Sequence, residues 1–201
     1  SDTIVGLAGA DNIAGESGFD TVSYLQDADY GGTSGVTVDL GAGTATDGFG
    51  DTDTLSGVET VYGTDSDDTL RGGGDEVFER YVGFDGDDTI DGQGGNLGGD
   101  QVSYIEEREF GDGSQGVVVD LGAGTATDSY GSSDTLIGIN DVRGTDLDDE
   151  LTGGADDEFE QFRGLAGDDT IDGGSGYDRA DYSNEPGFGG SQGVEVDLGE
   201  G

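Results

Sequence analysis

An all-β solenoid of short stacked strands, stabilised by divalent cations, is the fold this sequence predicts, and three observations carry it. A nine-residue pattern (a glycine-rich turn, an Asp, any residue, an apolar residue) recurs at residues 6–14, 15–23, 48–56, 63–71, 83–91, 92–103, 129–137, 144–152, 164–172 and 173–181. Around it the apolar residues alternate as in strands, and no segment sustains an i, i+3, i+4, i+7 stripe. The Asp falls at the same place in every turn. A nine-residue unit is too short to bury its own apolar residue, whereas stacked copies bury a continuous row.

Taken in order, the turn comes first. Its cleanest copies are Gly83-Phe84-Asp85-Gly86-Asp87-Asp88-Thr89-Ile90-Asp91 and Gly164-Leu165-Ala166-Gly167-Asp168-Asp169-Thr170-Ile171-Asp172. Glycine reaches positive φ and so turns successive carbonyl oxygens inward. Calcium takes six to eight oxygens at about 2.3–2.6 Å, so one turn supplies half a shell and two stacked turns clamp an ion. The strands follow. Val36, Val38 and Leu40 alternate, as do Val117, Val119 and Leu121, while Leu55, Leu70 and Ile90 are lone apolar residues suited to three-residue strands. Residues 76–81 and 158–162 form at most one helical turn, and Phe78 with Tyr81, like Phe159 with Phe162, fills a wider coil of the core. Residues 24–35, 104–116 and 182–193 are surface loops extruded between strands.

A longer period overlies the short one. Residues 35–47 return as 116–128 with only Thr37 replaced, by Val118, and begin again at 193–199; residues 53–95 return as 134–176. The whole chain, 1–201, reads as one continuous array with modules at 1–52 (partial), 53–133 and 134–201 (partial). The partial modules lead us to expect a piece of a longer array.

Composition sets the terms of folding. There are 47 acidic residues against six basic ones, a net charge of −41, 44 Gly, and only 30% hydrophobic residues. So little apolar surface does not offset chain entropy of about 1–2 kcal/mol per residue, and cations must supply the difference. Nucleic acid and anionic membranes are excluded as partners for want of any basic patch. No apolar run is long enough for membrane insertion. With neither His nor Cys, zinc sites and disulfides are excluded. An EF-hand fails because Leu70 and Leu151 stand where its loop needs Gly, and no helices flank them. No His or Lys activates a Ser or Thr nucleophile, so no enzyme activity is assigned to these residues.

The units resemble the hemolysin-type RTX repeat, G-G-x-G-x-D-x-U-x, a calcium-binding β-helix repeat, and residues 22–47 resemble the sequence that interrupts such repeats in large secreted bacterial proteins. The resemblance implies a parallel β-roll with rows of Ca2+ ions along both edges. It also implies side-chain ligands at Asp11, Asp20, Asp53, Asp68, Asp88, Asp100, Asp134, Asp149, Asp169 and Asp178. Carbonyl ligands would come from the turns of Gly6, Gly9, Gly15, Gly18, Gly63, Gly83, Gly86, Gly144, Gly164, Gly167, Gly173 and Gly176. The units at Gly63 and Gly144 lack the inner Gly, that at Asp100 carries extra residues around Asn96-Leu97-Gly98, and that at Ser129 lacks its opening Gly; weaker or empty sites are expected there. The resemblance further implies an extracellular or cell-surface location reached by type I secretion. Three roles are compatible with it: an adhesin or surface-layer scaffold that meets neighbouring repeats or other copies in an assembly, a folding and secretion module of a secreted enzyme or toxin, or a carbohydrate- or protein-binding module acting through its loops.

Overall fold

The computed structural model describes residues 1–74, 77–93, 99–155 and 158–183; the third copy of the longer repeat, from Gly193, and the extra residues around Asn96 lie outside them. The chain winds as a solenoid between two sheets. One holds β1 (Thr3–Ile4), β3 (Thr21–Ser23), β7 (Thr60–Tyr62), β9 (Arg80–Val82), β11 (Gln101–Ser103), β15 (Asp141–Arg143), β17 (Gln161–Arg163) and β19 (Arg179–Ala180), in that spatial order. Every pairing in it is parallel. The facing sheet runs β2 (Asn12–Ala14), β6 (Thr52–Ser56), β5 (Thr44–Thr46), β4 (Thr37–Asp39), β8 (Thr69–Arg71), β10 (Thr89–Asp91), β14 (Ser133–Ile137), β13 (Thr125–Thr127), β12 (Val118–Asp120), β16 (Glu150–Thr152) and β18 (Thr170–Asp172).

Strands of two or three residues leave room for one inward side chain, and register stacks these into two rows. In the first sheet Ile4, Val22, Val61, Tyr81, Val102, Val142, Phe162 and Ala180 are successive partners. In the second, Val38, Leu70, Ile90 and Leu136 align in the same way. These rows meet as the core, in which Val22, Val38, Val61, Leu70, Tyr81, Ile90, Val102, Val142 and Phe162 are fully buried. At about 4.8 Å per rung, the eight strands of the first sheet span about 35 Å.

The structure departs from the sequence expectation in three places. The second sheet is not wholly parallel: β4–β5–β6 and β12–β13–β14 are antiparallel meanders, because Gly43 and Gly124 (φ 66° and 69°) reverse the chain right after each alternating strand. The segment after Tyr104 is not a plain surface loop. It holds α1 (Ile105–Phe110), with Ile105, Glu106 and Glu107 buried, where its counterpart in the first module forms only a 3₁₀ turn, Ala28–Tyr30. The segments read as at most one helical turn run into β9 and β17, in keeping with an all-β chain, and the third departure concerns their aromatic residues. Of the aromatic pairs, Tyr81 and Phe162 enter the core, while Phe78 packs on Phe19 with centroids 5.5 Å apart and Phe159 stays 54% exposed.

Leu70 sits between Val38 and Ile90 with no exposed surface. Leu70→Ala should therefore cost about 2–5 kcal/mol in urea unfolding at saturating calcium. Ile137→Ala, on the outer face of β14 at 49% exposure, should stay within about 0.5 kcal/mol. Equal effects would contradict a core shared between coils.

Candidate metal centres

Each turn places its closing Asp so that the carboxylate reaches along the solenoid axis. In seven of the turns Oδ1 accepts the backbone N–H of an acidic residue one coil away: Asp2 donates to Asp20 (2.6 Å), Asp11 to Asp53 (2.9 Å), Asp68 to Asp88 (2.8 Å), Asp88 to Asp134 (3.2 Å) and Asp149 to Asp169 (3.0 Å). Glu79 and Glu160 donate in the same way to Asp100 and Asp178. The result is a column of carboxylates along each edge of the solenoid.

The opening Gly of the turn makes room for this. A Cβ on Gly83, Gly164, Gly63 or Gly144 would lie 2.0–2.1 Å from Oδ2 of Asp88, Asp169, Asp68 or Asp149. Near Gly6 and Gly173 the Asp11 and Asp178 oxygens would stand 3.0 and 2.9 Å away, and a Cβ on Gly15 would strike the Gly57 carbonyl at 1.9 Å. The inner glycines Gly9, Gly18, Gly86, Gly167 and Gly176 have φ between 117° and 139°, a region closed to most side chains. The second position is also left-handed although it carries Leu7, Glu16, Phe84 or Leu165. Phe84 and Leu165 are fully or nearly fully buried, which offsets the strain, and Phe84 meets Tyr62 edge-on at 5.8 Å.

What the carboxylates lack separates the turns into classes. Asp11, Asp20 and Asp88 each keep a buried Oδ2 with no protein partner. A desolvated oxygen of this kind calls for a cation or a proton, and beside a glycine-rich turn it fits calcium. Asp68 and Asp149 differ, because Thr follows the opening Gly, at the second position of the turn. The Thr64 N–H and hydroxyl donate to Asp68 at 2.7 and 3.0 Å, and Val36 N–H adds a third bond at 2.6 Å. Thr145 and Val117 do the same for Asp149. Asp53 and Asp134 are engaged on both oxygens, the second accepting the Tyr24 or Tyr104 hydroxyl at 3.3 or 3.2 Å. The expected ligand set therefore divides into turns that present an unmatched oxygen and turns whose Asp is bonded internally.

Several functional acids escaped the sequence reading. Both oxygens of Glu79 accept from Gly73 N–H at 3.0 Å, and both of Glu160 from Gly154 N–H at 2.9 Å. These glutamates insert their own carboxylates into the turns at 72–74 and 153–155. Their signal was present: Glu79 and Glu160 are 81 residues apart, the spacing of the long repeat (160 − 79 = 81). Among the described residues no three acidic side chains form a preassembled metal-binding group.

Burial raises these acids first of all. Asp88 is pushed up to about 9, with the charges of Asp68 and Asp134 adding to desolvation; Asp68 and Asp134 reach about 7 and Asp149 about 6. A raised carboxylate favours its neutral form in the fold, so cation-free stability is greatest below the ordinary carboxylate range near 4 and is lost as pH climbs through 6 to 9.

The RTX calcium-binding nonapeptide repeat family matches the chain in four copies, over residues 1–30, 53–76, 82–96 and 161–180. No curated protein matches the chain.

Two outcomes follow for this site. In EGTA, β structure followed by circular dichroism should increase as pH falls from about 9 to about 4, acid standing in for the cation; a decrease would contradict the desolvated column. In calorimetry, Asp88→Asn should lower the number of calcium ions bound. Asp68→Asn should leave that number unchanged while costing about 1–3 kcal/mol of stability, since its amide would face the donors of Thr64 and Val36.

Proposed function

We propose that this chain, which carries RTX calcium-binding nonapeptide repeats, is a calcium-folded scaffold segment of a secreted or cell-surface protein. The observation that carries the reading is the column of closing aspartates in which Asp11, Asp20 and Asp88 hold buried oxygens with no protein partner. Calcium bound there would supply positive charge between stacked turns, with ligands from these carboxylates and from the carbonyls of the Gly6, Gly15 and Gly83 turns. The chain's own residues set the coil register, exclude water through the two apolar rows and hold each carboxylate by one oxygen.

A scaffold rather than a catalyst is favoured because the acids serve the turns and the core, and neither His nor Lys is present to act as a base. Among the described residues no helix is long and apolar enough to cross a membrane. Extracellular calcium, near the 10⁻⁴–10⁻³ M range of extracellular modules, suits a chain that stays unfolded at low cytosolic calcium and folds on emerging from a type I exporter. Modules repeating at offsets of 81 and 77 residues (116 − 35 = 81, 193 − 116 = 77) favour an extended adhesin or surface-layer spacer.

Calcium titration of the purified chain at pH 7.5 should give a cooperative gain of β structure with a midpoint of about 10⁻⁴–10⁻³ M, reversed by EGTA. A sub-micromolar midpoint, or full β structure in EGTA, would overturn the reading.

A further inference from the structure

Outside the nonapeptide turns, each module buries a second pair of acids beneath its antiparallel meander. In the first module Asp27 precedes the 3₁₀ turn and Asp47 directly follows β5; both are 1% exposed. Asp27 Oδ2 accepts Gly48 N–H at 2.9 Å, and Asp47 Oδ1 accepts the N–H groups of Phe49 and Asp51 at 3.0 and 2.7 Å. The other oxygen of each, Asp27 Oδ1 and Asp47 Oδ2, is buried with no protein partner.

The second module repeats the arrangement with different residues. Glu107, on α1, replaces Asp27, and Asp128, directly after β13, replaces Asp47; neither has any exposed surface. Glu107 Oε2 accepts the N–H and hydroxyl of Ser129 at 3.1 and 2.6 Å, and Asp128 Oδ1 accepts Tyr130, Gly131 and Ser132 N–H at 3.0, 2.7 and 2.7 Å. Glu107 Oε1 and Asp128 Oδ2 again lack a protein partner. Within each pair the two charges repel one another. In both modules, then, two buried carboxylates are pinned by one oxygen each and keep the other unmatched, although the backbone beneath is a 3₁₀ turn in one and an α-helix in the other.

We propose that Asp27 with Asp47, and Glu107 with Asp128, each form an internal calcium site separate from the nonapeptide turns. The donor set is all oxygen and its two negative charges match one divalent cation. Two carboxylates leave positions in a six-to-eight-oxygen shell for carbonyls, hydroxyls or water. Burying two like charges without a cation is costly, and the pinned oxygens keep both carboxylates from turning out to solvent. Each site would fasten the segment after Tyr24 or Tyr104 to the turn that closes the meander, a tie that the strand ladders do not supply.

Long-wavelength anomalous diffraction from crystals of the unmodified chain grown in calcium tests this directly. A peak is expected at each pair in addition to peaks in the turns. Peaks in the turns alone overturn this proposal and leave the turn sites standing, and the pairs are then protonated; peaks at neither overturn both readings. Native mass spectrometry in calcium gives an independent count. The Asp27→Asn, Asp47→Asn double variant should bind one ion fewer than the unmodified chain, as should the Glu107→Gln, Asp128→Asn variant. An unchanged count in a variant that folds would sink the idea, and the crystals decide the case if a variant does not fold.

Discussion

A carboxylate that accepts the backbone N–H of an acid one coil away is the interaction on which the rest of this structure depends. Asp68 to Asp88 to Asp134 makes it twice in succession, and the register it fixes is the register that stacks Leu70, Ile90 and Leu136 into one apolar row. The same bond gathers negative charge at coil spacing. Six Arg face 47 acids, and the ion pairs they form, such as Arg163 with Asp141 at 2.7 Å and Arg143 with Glu106 at 3.1 Å, lie away from the closing aspartates. Geometry and charge thus oppose one another along the column, and a divalent cation relieves the opposition without disturbing the geometry.

The coils answer this constraint in different ways. Asp88 leaves an oxygen unmatched, Asp68 and Asp149 are closed by threonine, Asp53 and Asp134 by tyrosine, and the turns at 72–74 and 153–155 receive a glutamate from the chain just beyond them. In a solenoid each coil contacts only its neighbours, so stability is close to a sum of coil and interface contributions. Thr64 and Thr145 supply their own Asp with donors from within the turn. Asp68 N–H donates to Asp88, and Asp149 N–H to Asp169. An internally bonded turn therefore presents a formed edge to the turn beside it.

Much of this was legible in the residues. The nine-residue period predicts the solenoid, lone apolar residues such as Leu70 and Ile90 mark three-residue strands, and the missing inner Gly at 63–66 and 144–147 marks two turns that are built differently. What the period does not carry is how partner strands are chosen. Val36, Val38 and Leu40 read as a strand, but that β5 folds back against β4 and that β8 joins β4 rather than β6 depends on long-range pairing. Helix α1 was missed because its buried residues are Ile105, Glu106 and Glu107, and carboxylates bonded to Ser103 and Ser129 do not register as apolar. Glu79 and Glu160 were missed because they lie outside the nonapeptide and act on turns several residues earlier.

The meanders are where the period breaks, and the breaks are built as carefully as the turns. Asp47 and Asp128 divide their two oxygens: Oδ1 collects N–H groups from the turn that follows, and Oδ2 stays buried without a protein partner. Asp47 and Asp128 also act electrostatically on Asp53 and Asp134, the residues that accept from Asp11 and Asp88. Charge on the interrupting segment therefore adds to the repulsion within the column. The long repeat thus sets acids of the interrupting segment electrostatically beside acids of the column in both modules.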